Sequence, residues 1–240
     1  MDAAVEGSTA SAPAYPDLVT PFQQRVGALL YACVATRPDI AYSVSLLCRA
    51  MSRPTPELMA ETDRLLCYLS RHASVGLTFN RGDSSLHGFT DASWATRYST
   101  SGWVIKWQGV AISWGSRKQK SVALSSCEAE IMALSEGSKD IVYFRKLLSG
   151  IDASFVPGVS DLSTDNKGAR DLSFNPEFHQ KTKHIARRHF YVRDLVEALE
   201  LNVPLVGTAD NQADFFTKPL KSKTFFPFRE KIMNERAALA

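Results

Sequence analysis

Three strand-like runs follow one another in the middle of the chain, Leu86–Asp91, Gly102–Trp107 and Val110–Trp114, and every later strand is reached through a helix. Gln108-Gly109, between the last two, has the chemistry of a tight hairpin turn. A long helix is expected from about Ser126 to Ser149, with Gly150 as its stop. Val159–Asp165 reads as a fourth strand, Asn166–Leu172 as a short helix and Tyr191–Leu199 as another. Val203–Gly207 reads as a fifth strand and Asp210–Thr217 as a final helical turn or two. The order β-β-β-α-β-α-α-β-α places the chain in the α/β class. Three antiparallel strands followed by strands added through helices imply a mixed sheet with helices on its faces.

A helical segment precedes this domain. Thr20-Pro21 reads as a cap with proline at the first helical position, and Phe22, Val26, Leu29, Leu30 and Cys33 fall on one face. Arg37-Pro38-Asp39 interrupts, and Ile40, Val44, Leu47 and Met51 restart the period. Thr55-Pro56 opens a third helix with Leu58, Thr62, Leu65, Leu66 and Leu69 on one stripe. The polar stretch Asn80–Ser85 marks a boundary. The expected layout is a disordered leader over 1–19, a helical unit over 20–80, an α/β domain over 83–220 and a tail over 221–240.

Four acids stand at the edges of the expected elements: Asp91, Glu128, Asp165 and Asp214. If the first and fourth strands are parallel neighbours, Asp91 and Asp165 emerge at one carboxyl edge, where open α/β sheets place their sites. Glu128 begins the long helix and Asp214 follows the fifth strand, so both can reach the same edge. Gathered carboxylates repel and lose hydration, and a fold tolerates that best around hard divalent cations. Each acid also has a local use. Ser125-x-x-Glu128 matches a capping box, Asp165 can cap the next helix, Asp214 can complement a helix dipole, and Asp91 can serve a turn.

Composition narrows the rest. With 28 Lys+Arg against 25 Asp+Glu the net charge is +3, so a nucleic-acid surface must come from local clustering. Arg117, Lys118 and Lys120 form one such cluster close in sequence to Glu128. Lys181, Lys183, His184, Arg187 and Arg188 form another, within the stretch His179–Arg193 that interleaves Phe190 and Tyr191 and is free of acids. A solvated basic helix face is the alternative use of the second set. Cys33, Cys48, Cys67 and Cys127 form no CxxC pair, which points to reduced buried thiols and a reducing compartment, cytoplasmic or nuclear. No apolar run is long enough to span a bilayer, and the first 20 residues lack the basic region of a secretory signal.

The chain resembles the C-terminal part of the Pol polyprotein of copia-type LTR retrotransposons, the reverse-transcriptase tail plus the ribonuclease H domain. The matching segments include Leu29-Leu-Tyr-Ala-Cys-Val-Ala-Thr-Arg-Pro-Asp-Ile40, Ser99-Thr-Ser-Gly-Trp103 and Ile112-Ser-Trp-Gly-Ser-Arg-Lys-Gln-Lys120. Val122-Ala-Leu-Ser-Ser-Cys-Glu-Ala-Glu130, Thr164-Asp-Asn166, Lys181-Thr-Lys-His-Ile185 and Gln212-Ala-Asp-Phe-Phe-Thr-Lys-Pro-Leu220 continue the series. The resemblance implies a ribonuclease H-like fold and hydrolysis of the RNA strand of an RNA–DNA hybrid. It implies two Mg²⁺ ions, with Mn²⁺ as a substitute, held by Asp91, Glu128, Asp165 and Asp214. The remainder of a Pol polyprotein or reverse transcriptase is the implied protein partner. The sequence contains no Tyr-x-Asp-Asp palm motif, so no polymerase activity is expected. Ser93 and Ala186 stand where the family carries acids, and the Gly207–Asn211 loop lacks the histidine of many cellular ribonucleases H. A catalytically silent fragment that binds nucleic acid or protein is the alternative.

Overall fold

The computed structural model describes residues 15–79, 85–94, 97–156, 158–174 and 186–235. Residues 1–14 of the expected leader lie outside the described residues. The chain divides into two compact units, Met1–Leu77 and Thr78–Ala240.

The first unit holds α1 (Pro16–Ala35), α2 (Ala41–Cys48) and α3 (Pro56–Arg71), with a 3₁₀ turn at Pro38–Ile40. Helix α1 begins at Pro16, ahead of the expected Thr20-Pro21 start, and Pro21 lies inside it. Pro16 fills the first-turn position, where a missing amide costs nothing. Burial of Phe22, Val26, Leu29 and Cys33 then carries the helix past the one bond that Pro21 forfeits. Leu30 and Leu66, expected on the buried stripes, are 41% and 40% exposed at their margins. Thr55 caps α3 as expected, its hydroxyl accepting from the Leu58 amide at 3.4 Å. The Arg37-Pro38-Asp39 break is pinned by a bidentate pair: Arg37 Nε and Nη2 donate to the two Asp39 oxygens at 2.9 and 2.7 Å. Tyr68 donates to the same carboxylate at 2.7 Å, so this buried charge pair is well satisfied. Cys33 is buried, whereas Cys67 is exposed, against the expectation of four buried thiols.

The second unit is built on β1 (His87–Ser93), β2 (Thr100–Trp107), β3 (Val110–Lys118), β4 (Ser160–Ser163) and β5 (Leu201–Asn202). Its helices are α4 (Ser126–Ile151), α5 (Lys167–Phe174), α6 (Ala186–Glu197) and α7 (Ser222–Met233). The sheet order is β3-β2-β1-β4-β5. β1 to β3 pair antiparallel, while β4 joins β1 and β5 joins β4 in parallel. This is the five-stranded mixed sheet of the ribonuclease H-like fold, as expected. Gln108 and Gly109 turn the β2–β3 hairpin with φ of 51° and 76°, the paired positive φ of a type I′ turn.

Several boundaries differ from the sequence reading. Helix α4 runs through Gly150 to Ile151, and Asp152 ends it while accepting the Ser154 amide at 2.8 Å. The fifth strand lies at Leu201–Asn202 with a single further bridge between Thr164 and Leu205. Pro204 has no amide to donate, which interrupts the ladder where Val203–Gly207 was expected. The residues read as a tail form α7, burying Phe228, Ile232 and Met233.

Strand alternation gives the sheet two differently covered faces. On one, Trp103, Ile105 and Leu162 pack with Leu134, Ile141 and Leu148 of α4 and Val192 of α6. The other carries Asp91, Gly102 and Val104 and receives the segment around residues 213–217.

Candidate active site

The register brings the first two acids together. Phe89 pairs with Ser163 in the parallel β1–β4 ladder. Two residues further on, Asp91 and Asp165 fall opposite one another on the same face, since side chains repeat every two residues. Asp91 lies inside β1, which continues to Ser93, rather than at its end. Asp165 is free of the helix-capping duty considered for it. Asn166 caps α5 instead, its side-chain oxygen accepting the Ala169 amide at 3.0 Å.

The third acid of the cluster is Glu130, which the sequence reading passed over. One carboxylate oxygen each from Asp91, Glu130 and Asp165 all lie within 4.8 Å of one another. Glu128, the expected ligand, is absent from this cluster. Its carboxylate accepts the Leu124 amide at 2.7 Å while its own amide donates to Ser125 Oγ at 3.1 Å. The capping-box reading therefore applies to Glu128. Residues two apart on a helix point about 200° from each other, so when Glu128 folds back on the helix start, Glu130 faces the sheet edge. The capping box was itself the usable signal, because it already employs Glu128.

Asp214 completes the neighbourhood. It lies in a short 3₁₀ segment, Gln212–Phe216, whose start is capped by Asn211 Oδ1 accepting from the Ala213 amide at 3.1 Å. Asn211 also donates to the Thr90 carbonyl at 3.0 Å, tying this segment to β1 beside Asp91. Thr217 donates its hydroxyl to Asp91 Oδ2. Lys218 Nζ lies 2.7 Å from Asp214 Oδ1.

The electrostatics are those of an overfilled acidic pocket. Burial, then the charges of Asp91 and Asp165, push Glu130 up to about 9, with the Ala92 amide opposing. Asp214 is raised to about 6, chiefly by burial, with the charge of the neighbouring Lys218 ammonium opposing. Glu130 Oε2 is buried without a hydrogen-bond partner. An orphaned carboxylate oxygen among converging carboxylates fits a hard, oxygen-liganded divalent ion such as Mg²⁺. Asp91, Glu130 and Asp165 would hold it, with Asp214 alongside.

A pH dependence follows from these shifts. Both acids bind their protons more tightly in the folded chain than in the unfolded one. Their stabilising contribution is thus complete below the ordinary carboxylate range and is lost as pH rises through about 6 for Asp214 and about 9 for Glu130. In EDTA, the melting temperature should fall by on the order of 5 °C between pH 5 and pH 9. Saturating Mg²⁺ should remove most of that fall, because the ion binds the ionised form. Melting curves at several pH values with and without Mg²⁺ check this, and a flat EDTA profile would contradict it.

The expected basic residues divide by position. Arg117 and Lys118 lie on the end of β3, which is longer than expected, rather than in the following linker. With Lys120, Gln119, Lys139 and Arg188 they line a cleft of about 280 Å³. The two basic sets of the sequence thus meet, through Arg188 at the start of α6. Lys139 was missed; it is held by Glu136 at 2.8 Å, which also lies 3.5 Å from Arg117. Arg187 lies in α6, and Lys181, Lys183 and His184 lie outside the described residues. Of the tryptophans, Trp103 is buried, donating to Asp140 at 2.7 Å, while Trp94 is 53% exposed.

No protein-family model matches the chain. It is 36% identical over 209 residues to the retrovirus-related Pol polyprotein from transposon TNT 1-94 of Nicotiana tabacum, covering 85% of this chain and 16% of the relative. It is 37% identical over 220 residues to that from transposon RE1 of Arabidopsis thaliana, covering 89% of this chain and 15% of the relative. The chain therefore spans about one sixth of the length of the curated relatives it matches. Among solved structures, it is similar to ribonuclease H1 of the halophilic archaeon Halobacterium salinarum. That likeness has a TM-score of 0.43 and 17% identity, over 55% of this chain and 94% of that one.

Proposed function

The chain is a homologue of the retrovirus-related Pol polyproteins of copia-type transposons, and on that premise we propose that it is a ribonuclease H-type endonuclease cutting the RNA strand of RNA–DNA hybrids. The observation that carries the reading is the convergence of Asp91, Glu130 and Asp165 oxygens within 4.8 Å from β1, α4 and the end of β4. Bound divalent ions would lower the pKa of the attacking water and stabilise the departing oxygen.

The chain's own groups supply position. Asp91 is held by Thr217, whose hydroxyl donates to one of its oxygens. The buried 3₁₀ segment holds Asp214 against β1 and limits water around the carboxylates. Arg117, Lys118, Lys120 and Arg188 provide the cationic cleft suited to phosphate backbone, where contacts orient a duplex without reading its sequence. Hybrid recognition through 2′-hydroxyls and groove shape needs no base-specific contacts. The first unit is the reverse-transcriptase remnant in this reading, and the remainder of a Pol polyprotein is the proposed partner.

The test is cleavage of an end-labelled RNA–DNA hybrid in Mg²⁺, comparing the native chain with Asp165→Asn. The expected result is RNA-strand cutting that falls by about 10³-fold in the variant. Equal cleavage by both, or none by the native chain, would favour a silent binding module instead.

A further inference from the structure

Lys218 is the one cation placed by an ion pair onto the acidic site among the described residues. Its ammonium lies 2.7 Å from Asp214 Oδ1, and no hydrogen bond of proper geometry forms to that oxygen. The pair is an i,i+4 contact across the end of the 3₁₀ segment, with the Lys218 side chain 43% exposed and that of Asp214 10% exposed. The preceding residue, Thr217, donates to Asp91. Two successive residues of one turn therefore engage two different acids of the site, one through a hydroxyl and the other through a full positive charge.

The two contacts have different consequences for a divalent ion. Thr217 engages one Asp91 oxygen through a neutral hydroxyl, which adds no charge to the site. Lys218 instead places a unit charge against an Asp214 oxygen that is buried and has no hydrogen-bond partner. A lysine ammonium is a point charge on a flexible stem and can leave when a stronger cation arrives. An ion approaching Asp214 must displace it or accept its repulsion, and either route weakens binding.

We propose that Lys218 is a built-in counter-cation that competes with divalent metal for Asp214 and so sets the metal concentration at which the acidic site fills. This inference rests on the metal-site part of the reading above, but not on hybrid cleavage.

The test is titration of the full chain with Mn²⁺ alone, reading free ion by its EPR signal, with no nucleic acid present. Lys218→Gln should bind Mn²⁺ about five- to tenfold more tightly, a modest gain because the lysine is partly exposed and screened. Lys218→Arg, which keeps the charge, should bind as the native chain does. In an Asp214→Asn background the gain from Lys218→Gln should vanish, since the oxygen contested by the two cations has lost its charge. Unchanged or weaker Mn²⁺ binding by Lys218→Gln would overturn the proposal, as would an equal gain with Asp214→Asn. Absence of Mn²⁺ binding in every form would overturn it too. A chain that binds Mn²⁺ in the expected order but leaves hybrids intact would sink only the endonuclease reading.

Discussion

Glu130→Gln is expected to abolish hybrid cleavage, by about 10³-fold or more, while Glu128→Gln leaves it within about threefold of native. The two glutamates stand two residues apart in the same helix, and only the geometry separates them. Glu130 contributes to the three-acid cluster and carries a buried, unpartnered oxygen. Glu128 spends its carboxylate on the Leu124 amide at the helix start. The amide isostere keeps size and hydrogen bonding but removes the charge that a divalent ion needs. Stability should move the other way. Glu130→Gln should raise the melting temperature of the metal-free chain, because burial and two neighbouring acids already disfavour its charge. Glu128→Gln should be nearly neutral, and Glu128→Ala should cost about 1 kcal/mol through the lost cap. Parallel cleavage assays and metal-free melts check all of this. Loss of cleavage in Glu128→Gln with retention in Glu130→Gln would reverse the assignment.

Gly102→Ala should damage the site without touching any acid. Gly102 pairs with Asp91 across the β1–β2 ladder. A methyl group there would lie 2.6 Å from Thr217 Cγ2, 2.9 Å from Phe216 Cβ and 3.0 Å from the Ala213 carbonyl oxygen. Two of these neighbours are backbone or attached directly to it, so the segment holding Asp214 and Thr217 must move away from β1. A shift of about 1 Å at a catalytic group costs on the order of 10²-fold in rate, and overpacking of this kind costs about 1–3 kcal/mol. We therefore expect a drop of about 10²-fold in cleavage together with a lower urea midpoint. Gly150→Ala is the control. It lies in α4 with nothing within 4 Å of the added carbon, so it should be neutral or stabilising by up to about 1 kcal/mol. Native-like cleavage by Gly102→Ala would show that the close approach is not needed.

Much of the sheet was legible from local chemistry. The hairpin at Gln108-Gly109 declares itself because few residue pairs accept two positive φ angles in succession. The mixed character of the sheet followed from connectivity, since a strand reached through a helix returns parallel to an earlier one, whereas the order β3-β2-β1-β4-β5 came from the structure. Boundaries were less legible where the deciding contact is distant. The continuation of β3 to Lys118 depends on pairing with Thr100 and Ser101 of β2, which no property of Arg117 or Lys118 reveals. The helical character of Ser222–Met233 depends on burying Phe228, Ile232 and Met233, despite Pro227 within it.

The sequence by itself determined the α/β class, the order of elements and the family resemblance, and it singled out Asp91, Asp165 and Asp214 as candidate ligands from their places beside expected strands and turns. Only the tertiary structure separates Glu128 from Glu130, placing one at the helix start and the other in the acidic cluster. Both are acids in the first turns of one helix, and motif matching treats them alike. What distinguishes them is rotation about the helix axis together with the Leu124 amide, which commits one carboxylate to the helix start. The same holds for Lys218, an ordinary basic residue in the sequence that becomes a cation against Asp214 only when the turn closes on the sheet.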